Sequence, residues 1–174
     1  MGTDNIIPYC RWVIILLLLS CVEKNPSVEV NSMFTLLPSV YTGIDFENTL
    51  VDESRFNVFK YRNYYNGGGV AVGDINNDDL PDIYLVANSK YNKLYINKGN
   101  MQFKDVTKDA GVAGSHKWST GVCMVDINGD GLLDIYVCNS GNFKGDSRAN
   151  ELFINQGSVS GEIPAFIESA TDYG

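Results

Sequence analysis

Apolar residues in this chain come in short bursts broken by glycine, asparagine, aspartate and lysine, and nowhere is a helical period sustained. Four such bursts fall at about Gly69–Asp74, Asp82–Ala87, Lys93–Asn97 and Gln102–Thr107. Their β-branched and aromatic content between turn residues predicts strands. Val70-Ala71-Val72 and Ile83-Tyr84-Leu85-Val86-Ala87 are apolar at consecutive positions, so both faces of those strands are expected under protein. A sandwich covers one face of each strand and gives cleaner alternation. Four-stranded sheets stacked face to face around an axis cover both, so the expected class is all-β, a β-propeller of four-stranded blades.

The pattern then recurs. Gly69-Val-Ala-Val-Gly-Asp-Ile-Asn-Asn-Asp-Asp-Leu-Pro-Asp-Ile-Tyr84 lies over Gly121-Val-Cys-Met-Val-Asp-Ile-Asn-Gly-Asp-Gly-Leu-Leu-Asp-Ile-Tyr136 at an offset of 52 residues. Leu94-Tyr-Ile-Asn-Lys-Gly99 matches Leu152-Phe-Ile-Asn-Gln-Gly157 at 58, and Phe103-Lys-Asp-Val106 matches Phe166-Ile-Glu-Ser169 at 63. The growing offset places insertions in connecting loops, near Gly141–Ala149 and Ser158–Pro164. A fainter echo lies upstream, where Phe34–Ile44 ends in Thr42-Gly43-Ile44 as Phe103–Val112 ends in Ala110-Gly111-Val112. A repeat of this length is one supersecondary unit that buries its faces by stacking on its neighbours.

Between the first two strands of each unit runs an acidic loop: Asp74, Asn76, Asp78 and Asp82 in the first, Asp126, Asn128, Asp130 and Asp134 in the second. Oxygen donors at alternate positions, closed by a carboxylate eight residues after the first, suit a hard cation, and Ca²⁺ takes six to eight oxygens. The backbone carbonyls of Leu80 and Leu132 supply the missing ligand. An EF-hand needs a glutamate at position twelve and flanking helices, whereas Leu85 and Val137 stand there and strands flank the loops. Asp and Asn also make turns without any metal, but two loops with the same four donor positions favour two structural Ca²⁺ sites. Position six is Asp79 in the first loop and Gly131 in the second. Gly turns there without strain, so weaker binding is expected at Asp74–Asp82.

The first twenty residues read differently. Trp12–Leu19 is an apolar run preceded by Arg11, too short to span about 30 Å of hydrocarbon, and it fits a signal peptide. Leu18-Leu19-Ser20-Cys21 resembles the bacterial lipobox, which makes Cys21 the acylated first residue of the mature chain. Two or three acyl chains there would hold the protein on a membrane. Residues 21–33 have no sustained period and read as a tether, leaving 34–174 as the repeat region. The expected location is therefore exported and lipid-anchored, on a bacterial outer membrane or cell surface.

Charge narrows the partners. The chain carries 21 acidic and 13 basic residues, a formal charge of -8, with no basic stripe, so nucleic acid is not an expected partner. A single histidine, His116, excludes multi-histidine zinc sites, and no nucleophile elbow accompanies it.

The Val-Ala-Val-Gly-Asp-Ile-Asn-Asn-Asp signature, the Gly67-Gly-Gly69 lead-in and the Phe-x-Asp-Val-Thr-x-x-Ala-Gly-Val linker resemble the FG-GAP (VCBS-type) repeats of integrin α-chain propellers. More narrowly, they resemble bacterial surface proteins related to cartilage acidic protein, in which such repeats precede a C-terminal ASPIC/UnbV-type domain. The resemblance implies the same metal ligands in both loops and a role in adhesion, through binding of an extracellular protein or glycan. An exported lyase or hydrolase acting on polysaccharide is the alternative. It is disfavoured because the loop carboxylates already have ligand roles.

Other positions carry less. Cys123 and Cys138 flank the second loop, and their counterparts Ala71 and Val86 are apolar, so small core sites are expected rather than a disulfide. Lys144-Gly145-Asp146 resembles integrin-read tripeptides but is too short to be specific. Tyr61, Tyr64, Tyr65 and Trp118 are expected to pack between blades more than to form a binding face. At 52 to 63 residues per unit, 174 residues hold about two to two and a half blades, where closed propellers typically have at least four. A C-terminally truncated piece with an exposed sheet edge is expected.

Overall fold

The computed structural model describes residues 33–115, 118–140, 148–158 and 163–174. The chain divides into Met1–Leu36, of which four residues are described, and a compact unit, Leu37–Gly174. The leader, Cys21 and nearly all of the tether lie outside the described residues, as do His116 and Lys144-Gly145-Asp146. Among the described residues no helix is long and apolar enough to cross a membrane.

Among the described residues, eight strands form two four-stranded antiparallel sheets, each a meander in sequence order. The first contains β1 (Val70–Gly73), β2 (Asp82–Leu85), β3 (Lys93–Asn97) and β4 (Phe103–Asp105). The second contains β5 (Ser119–Val125), β6 (Asp134–Asn139), β7 (Glu151–Asn155) and β8 (Phe166–Glu168). The fold is thus all-β, with two sheets arranged as partial β-propeller blades, and β1 to β4 fall within the runs read from the sequence.

Among the described residues, three single-turn helices punctuate the strands: α1 (Ser39–Thr42), α2 (Thr107–Ala110) and α3 (Ala170–Tyr173). Four residues cannot display a helical period, which is why the sequence pattern did not reveal them. The faint upstream echo has a structural counterpart here. α1 and α2 each end on a left-handed glycine, Gly43 at φ 76° and Gly111 at φ 78°.

The core lies between the sheets. Tyr84, Val86, Leu94 and Ile96 of the first meet Ile135, Val137 and Phe153 of the second, with Val122 and Met124 packed against them. The Tyr84 hydroxyl donates to the Val112 carbonyl at 2.6 Å, satisfying its polar end inside the core. β1 lies against β5, and a Cβ at Gly69 would sit 3.0 Å from the Gly121 Cα, so that approach needs a glycine.

Coverage on both faces is incomplete: in β2 Asp82 and Tyr84 are buried but Ile83 and Leu85 only partly, and in β1 Val70 and Val72 are 58% and 61% exposed while Ala71 between them is buried. Ala71 pairs with Tyr84 on the face turned toward the second sheet; the two valines point the other way, where no sheet packs among the described residues. The same logic corrects the expectation for Cys123. It occupies the repeat position of Ala71, yet it is exposed, because among the described residues no sheet packs on its face of the second sheet. Cys138 is half-buried and both thiols are free; in register Cys123 opposes Tyr136 and Cys138 opposes Gly121.

Candidate functional site

Each acidic loop joins the first two strands of its sheet, and its side chains organise the loop from within. Asp74 accepts the Asp78 amide on Oδ1 at 3.0 Å and the Asp79 amide on Oδ2 at 2.8 Å. Asp78 accepts the Leu80 amide on Oδ1 at 3.0 Å, and the Asn76 amide group donates to its Oδ2 at 3.0 Å. The second loop repeats this nearly bond for bond. Asp126 accepts the Asp130 amide at 3.1 Å and the Gly131 amide at 2.9 Å, Asp130 accepts the Leu132 amide at 2.8 Å, and Asn128 donates to Asp130 Oδ2 at 2.8 Å. These are Asx turns: short side chains replace the backbone partners that the chain reversal removes.

The closing aspartates behave differently. Asp82 and Asp134 are fully buried. Asp82 accepts the Ile75 amide at 3.0 Å and the Asn97 amide at 2.7 Å, while Asp134 accepts those of Ile127 at 3.0 Å and Asn155 at 2.8 Å. Each clamps the start of its loop to the third strand of its sheet. Burial pushes the Asp82 carboxyl up to about 6; the Asn97 and Ile75 hydrogen bonds oppose this, and the charges of Asp78 and Asp74 add to it. Asp82 therefore feels the charges of Asp74 and Asp78, and no ion pair among the described residues compensates it.

Two backbone positions separate the loops. Asn77 and Asp79 adopt left-handed φ of 58° and 67°, whereas their counterparts Gly129 and Gly131 stand at 76° and 85°. The strain read from the sequence at Asp79 is present, and Asn77 adds a second instance that the sequence reading passed over. Left-handed backbone costs an L-residue about 1–2 kcal/mol, less for Asn and Asp.

Sequence reasoning also missed the asparagines that hold the closing aspartates. Asn97 donates its side chain to the Pro81 carbonyl at 2.9 Å and accepts the Gly99 amide at 2.9 Å. Asn155 does the same with Leu133 and Gly157 and, in addition, donates to the Ile75 carbonyl of the first loop at 3.0 Å. The signal was available in the repeated Ile-Asn-x-Gly of Leu94–Gly99 and Leu152–Gly157. A further link, Asn77 to the Gly131 carbonyl at 3.4 Å, sets the two loops side by side.

All eight side chains read as ligands thus occupy the two loops, with the Leu80 and Leu132 carbonyls in the same turns. Among the described residues, no group of three or more His, Cys, Asp or Glu is drawn together as a metal cluster. The carboxylates face loop amides instead. The donor set is nonetheless all oxygen, and a carboxylate offers about four lone-pair sites, so amide hydrogen bonds leave acceptor capacity on each.

A four-stranded antiparallel meander with such a loop between its first two strands is present twice in tandem, the arrangement of a repeat region. The model of the FG-GAP-like repeat family matches residues 74–137 of the chain. Among curated proteins, the chain is similar to cartilage acidic protein 1 of Mus musculus, 38% identical over 85 residues, and to that of Xenopus tropicalis, 38% over 87. The Homo sapiens protein is 36% identical over 85 residues. The mouse alignment takes in 49% of this chain and 13% of the relative, so the chain spans only a small part of the relatives it matches.

Proposed function

We propose that the chain is a calcium-stabilised, propeller-type binding module of an exported, lipid-anchored protein, recognising an extracellular protein or carbohydrate. The observation that carries the reading is the duplicated loop: two near-identical hydrogen-bonded scaffolds present the same oxygen donors and end on the same buried aspartate. Asp74, Asn76, Asp78, Leu80 and Asp82 would hold one cation, and Asp126, Asn128, Asp130, Leu132 and Asp134 the other. When bound, Ca²⁺ neutralises carboxylates that otherwise repel one another. The chain's own part is to fix the turn, through Asp74 and Asp126, and to tie it to the third strand, through Asp82 and Asp134.

The loop carboxylates are engaged in structural hydrogen bonds, which supports binding over catalysis. The matched repeat and relatives named for cartilage support an extracellular setting. The anchor at Cys21 rests on the lipobox resemblance alone, and radiolabelled palmitate incorporation, lost in Cys21→Ser, tests it.

The metal reading is tested by melting the chain with and without Ca²⁺. At about a hundredfold excess over Kd, each site adds about 2.7 kcal/mol, or a rise in Tm of about 10 °C for a folded unit of this size. Asp134→Asn is expected to abolish one site. An unchanged Tm together with no saturable uptake by calorimetry overturns the reading.

A further inference from the structure

The chain ahead of β1 builds a second, smaller core. Phe56, Tyr64 and Trp118 are buried together, with Leu50, Val58 and Tyr61 packed around them. Tyr61 stacks on Phe56 with centroids 5.6 Å apart, and Trp118 meets Phe56 edge-on at 4.9 Å. The Tyr64 hydroxyl donates to the Val51 carbonyl at 2.7 Å. Tyr61 and Ser140 share a hydroxyl hydrogen bond of 3.2 Å, which ties this segment to the end of β6. Contrary to the expectation of packing between blades, these rings do not pack one sheet on the other but join the segment ahead of β1 to Trp118, just before β5; Tyr65 stays largely exposed, its hydroxyl on Asp52.

Over this platform opens a pocket of about 400 Å³, lined by Arg55, Lys60, Tyr61, Asn63, Ser140 and Arg148. Among the described residues, three cations line it and no carboxylate does. The chain has 13 basic residues against 21 acidic, so three bases gathered without an acid is the reverse of its general character. Lys93 and Asp105 form the ion pair found among the described residues, so none of the three pocket cations is paired there. Like charges left together and unpaired raise the energy of the folded state unless something of opposite charge offsets them.

We propose that this pocket binds the oxyanion group, sulfate or carboxylate, of an acidic polysaccharide. Arg55 and Arg148 each present a planar fork matched to two oxygens of such a group, and Lys60 adds a point charge. Asn63 and Ser140 supply neutral hydrogen-bonding groups suited to sugar hydroxyls, and the Tyr61 ring offers a flat apolar face. The volume sits at the small end of ligand pockets, about 300–1,000 Å³, which fits a charged sugar unit rather than a folded protein epitope. Nucleic acid is disfavoured because the remaining surface is acidic and three cations make no phosphate-tracking stripe. The inference deepens the binding-module reading and rests on it, but it uses none of the acidic-loop residues.

The test titrates the full chain at low salt with dextran sulfate, polygalacturonate, neutral dextran and polyglutamate, and repeats the melts with and without Ca²⁺. One or both acidic polysaccharides are expected to bind, neutral dextran not, with affinity falling as salt rises. Arg148→Ala and Lys60→Ala are each expected to weaken binding roughly tenfold, while Lys104→Ala, an exposed lysine on β4, leaves it unchanged. All three side chains are exposed, so unchanged melting curves verify folding. Equal binding by Arg148→Ala, tighter binding of polyglutamate than of either polysaccharide, or no binding by folded protein each overturns the proposal. A chain whose Tm ignores Ca²⁺ but which still binds through Arg148 loses only the metal reading.

Discussion

Replacing Asn155 by alanine measures what holds the second sheet to the first loop. Asn155 is 1% exposed, and its side chain donates to the carbonyls of Leu133 and Ile75 while accepting the Gly157 amide. Asn97, its repeat counterpart, makes two of these three bonds, to Pro81 and Gly99, and has no bond to the other sheet's loop. Truncation leaves buried partners unsatisfied, at about 1–3 kcal/mol each. Asn97→Ala is then expected to cost about 2 kcal/mol and Asn155→Ala about 3–4 kcal/mol. The difference, about 1–2 kcal/mol, belongs to the Asn155–Ile75 bond and corresponds to about 3–8 °C in Tm. Urea melts followed by circular dichroism, with both variants fitted at a common m-value, give the two numbers. If Asn155→Ala costs no more than Asn97→Ala, the bond to Ile75 does not join the sheets energetically and the reasoning fails.

Three further outcomes are expected. Asp79→Gly relieves a left-handed residue at φ 67° but adds unfolded-state entropy, so stability without metal should shift by less than about 0.5 kcal/mol. Under the calcium reading, calorimetry should show the first site's affinity rising toward the second's, and a fall in affinity would count against strain as the cause. Gly69→Ala drives a methyl to 3.0 Å from the Gly121 backbone, and a chemical melt should show a loss of about 1–3 kcal/mol; a neutral result means the two sheets are not closely packed there. Burial works against the Asp105 charge, but hydrogen bonds from Lys93 and from the Thr107 hydroxyl and amide outweigh it and hold its carboxyl below the usual range. Its contribution is therefore full above the unfolded value near 4 and lost as pH falls below it. The Tm gap between wild type and Asp105→Asn should narrow from pH 5 to pH 3, and a constant gap refutes the assignment.

Repetition made the sheets and loops legible. Lys93–Asn97 coincides with the run read from the sequence, and the two acidic loops lie where alternating Asp and Asn placed them, because strand and turn chemistry are local. What stayed hidden depended on neighbours. Ala71 and Cys123 hold one repeat position, yet one is buried and the other exposed, a difference no local pattern encodes. The aromatic cluster of Phe56, Tyr64 and Trp118 joins segments more than fifty residues apart and lies outside the repeat, so no internal comparison could point to it. The roles of Asn97 and Asn155 were written in the repeat, but a lone asparagine before a Gly reads as a turn until its partners are seen.

The way the sheets face each other has a symmetry consequence. The face bearing Ala71 on one sheet meets the face bearing Val122 and Met124 on the next, so two different surfaces of the same repeat are in contact. Such a contact is heterologous, unlike the self-matching contact of a twofold dimer, and it leaves a complementary surface at each end: Val70 and Val72 at one, Cys123 and Val125 at the other. A heterologous contact applied repeatedly either closes into a ring or runs on as a filament. The angle between successive repeats, rather than the strength of any one interface, decides between a finite assembly and an unbounded one.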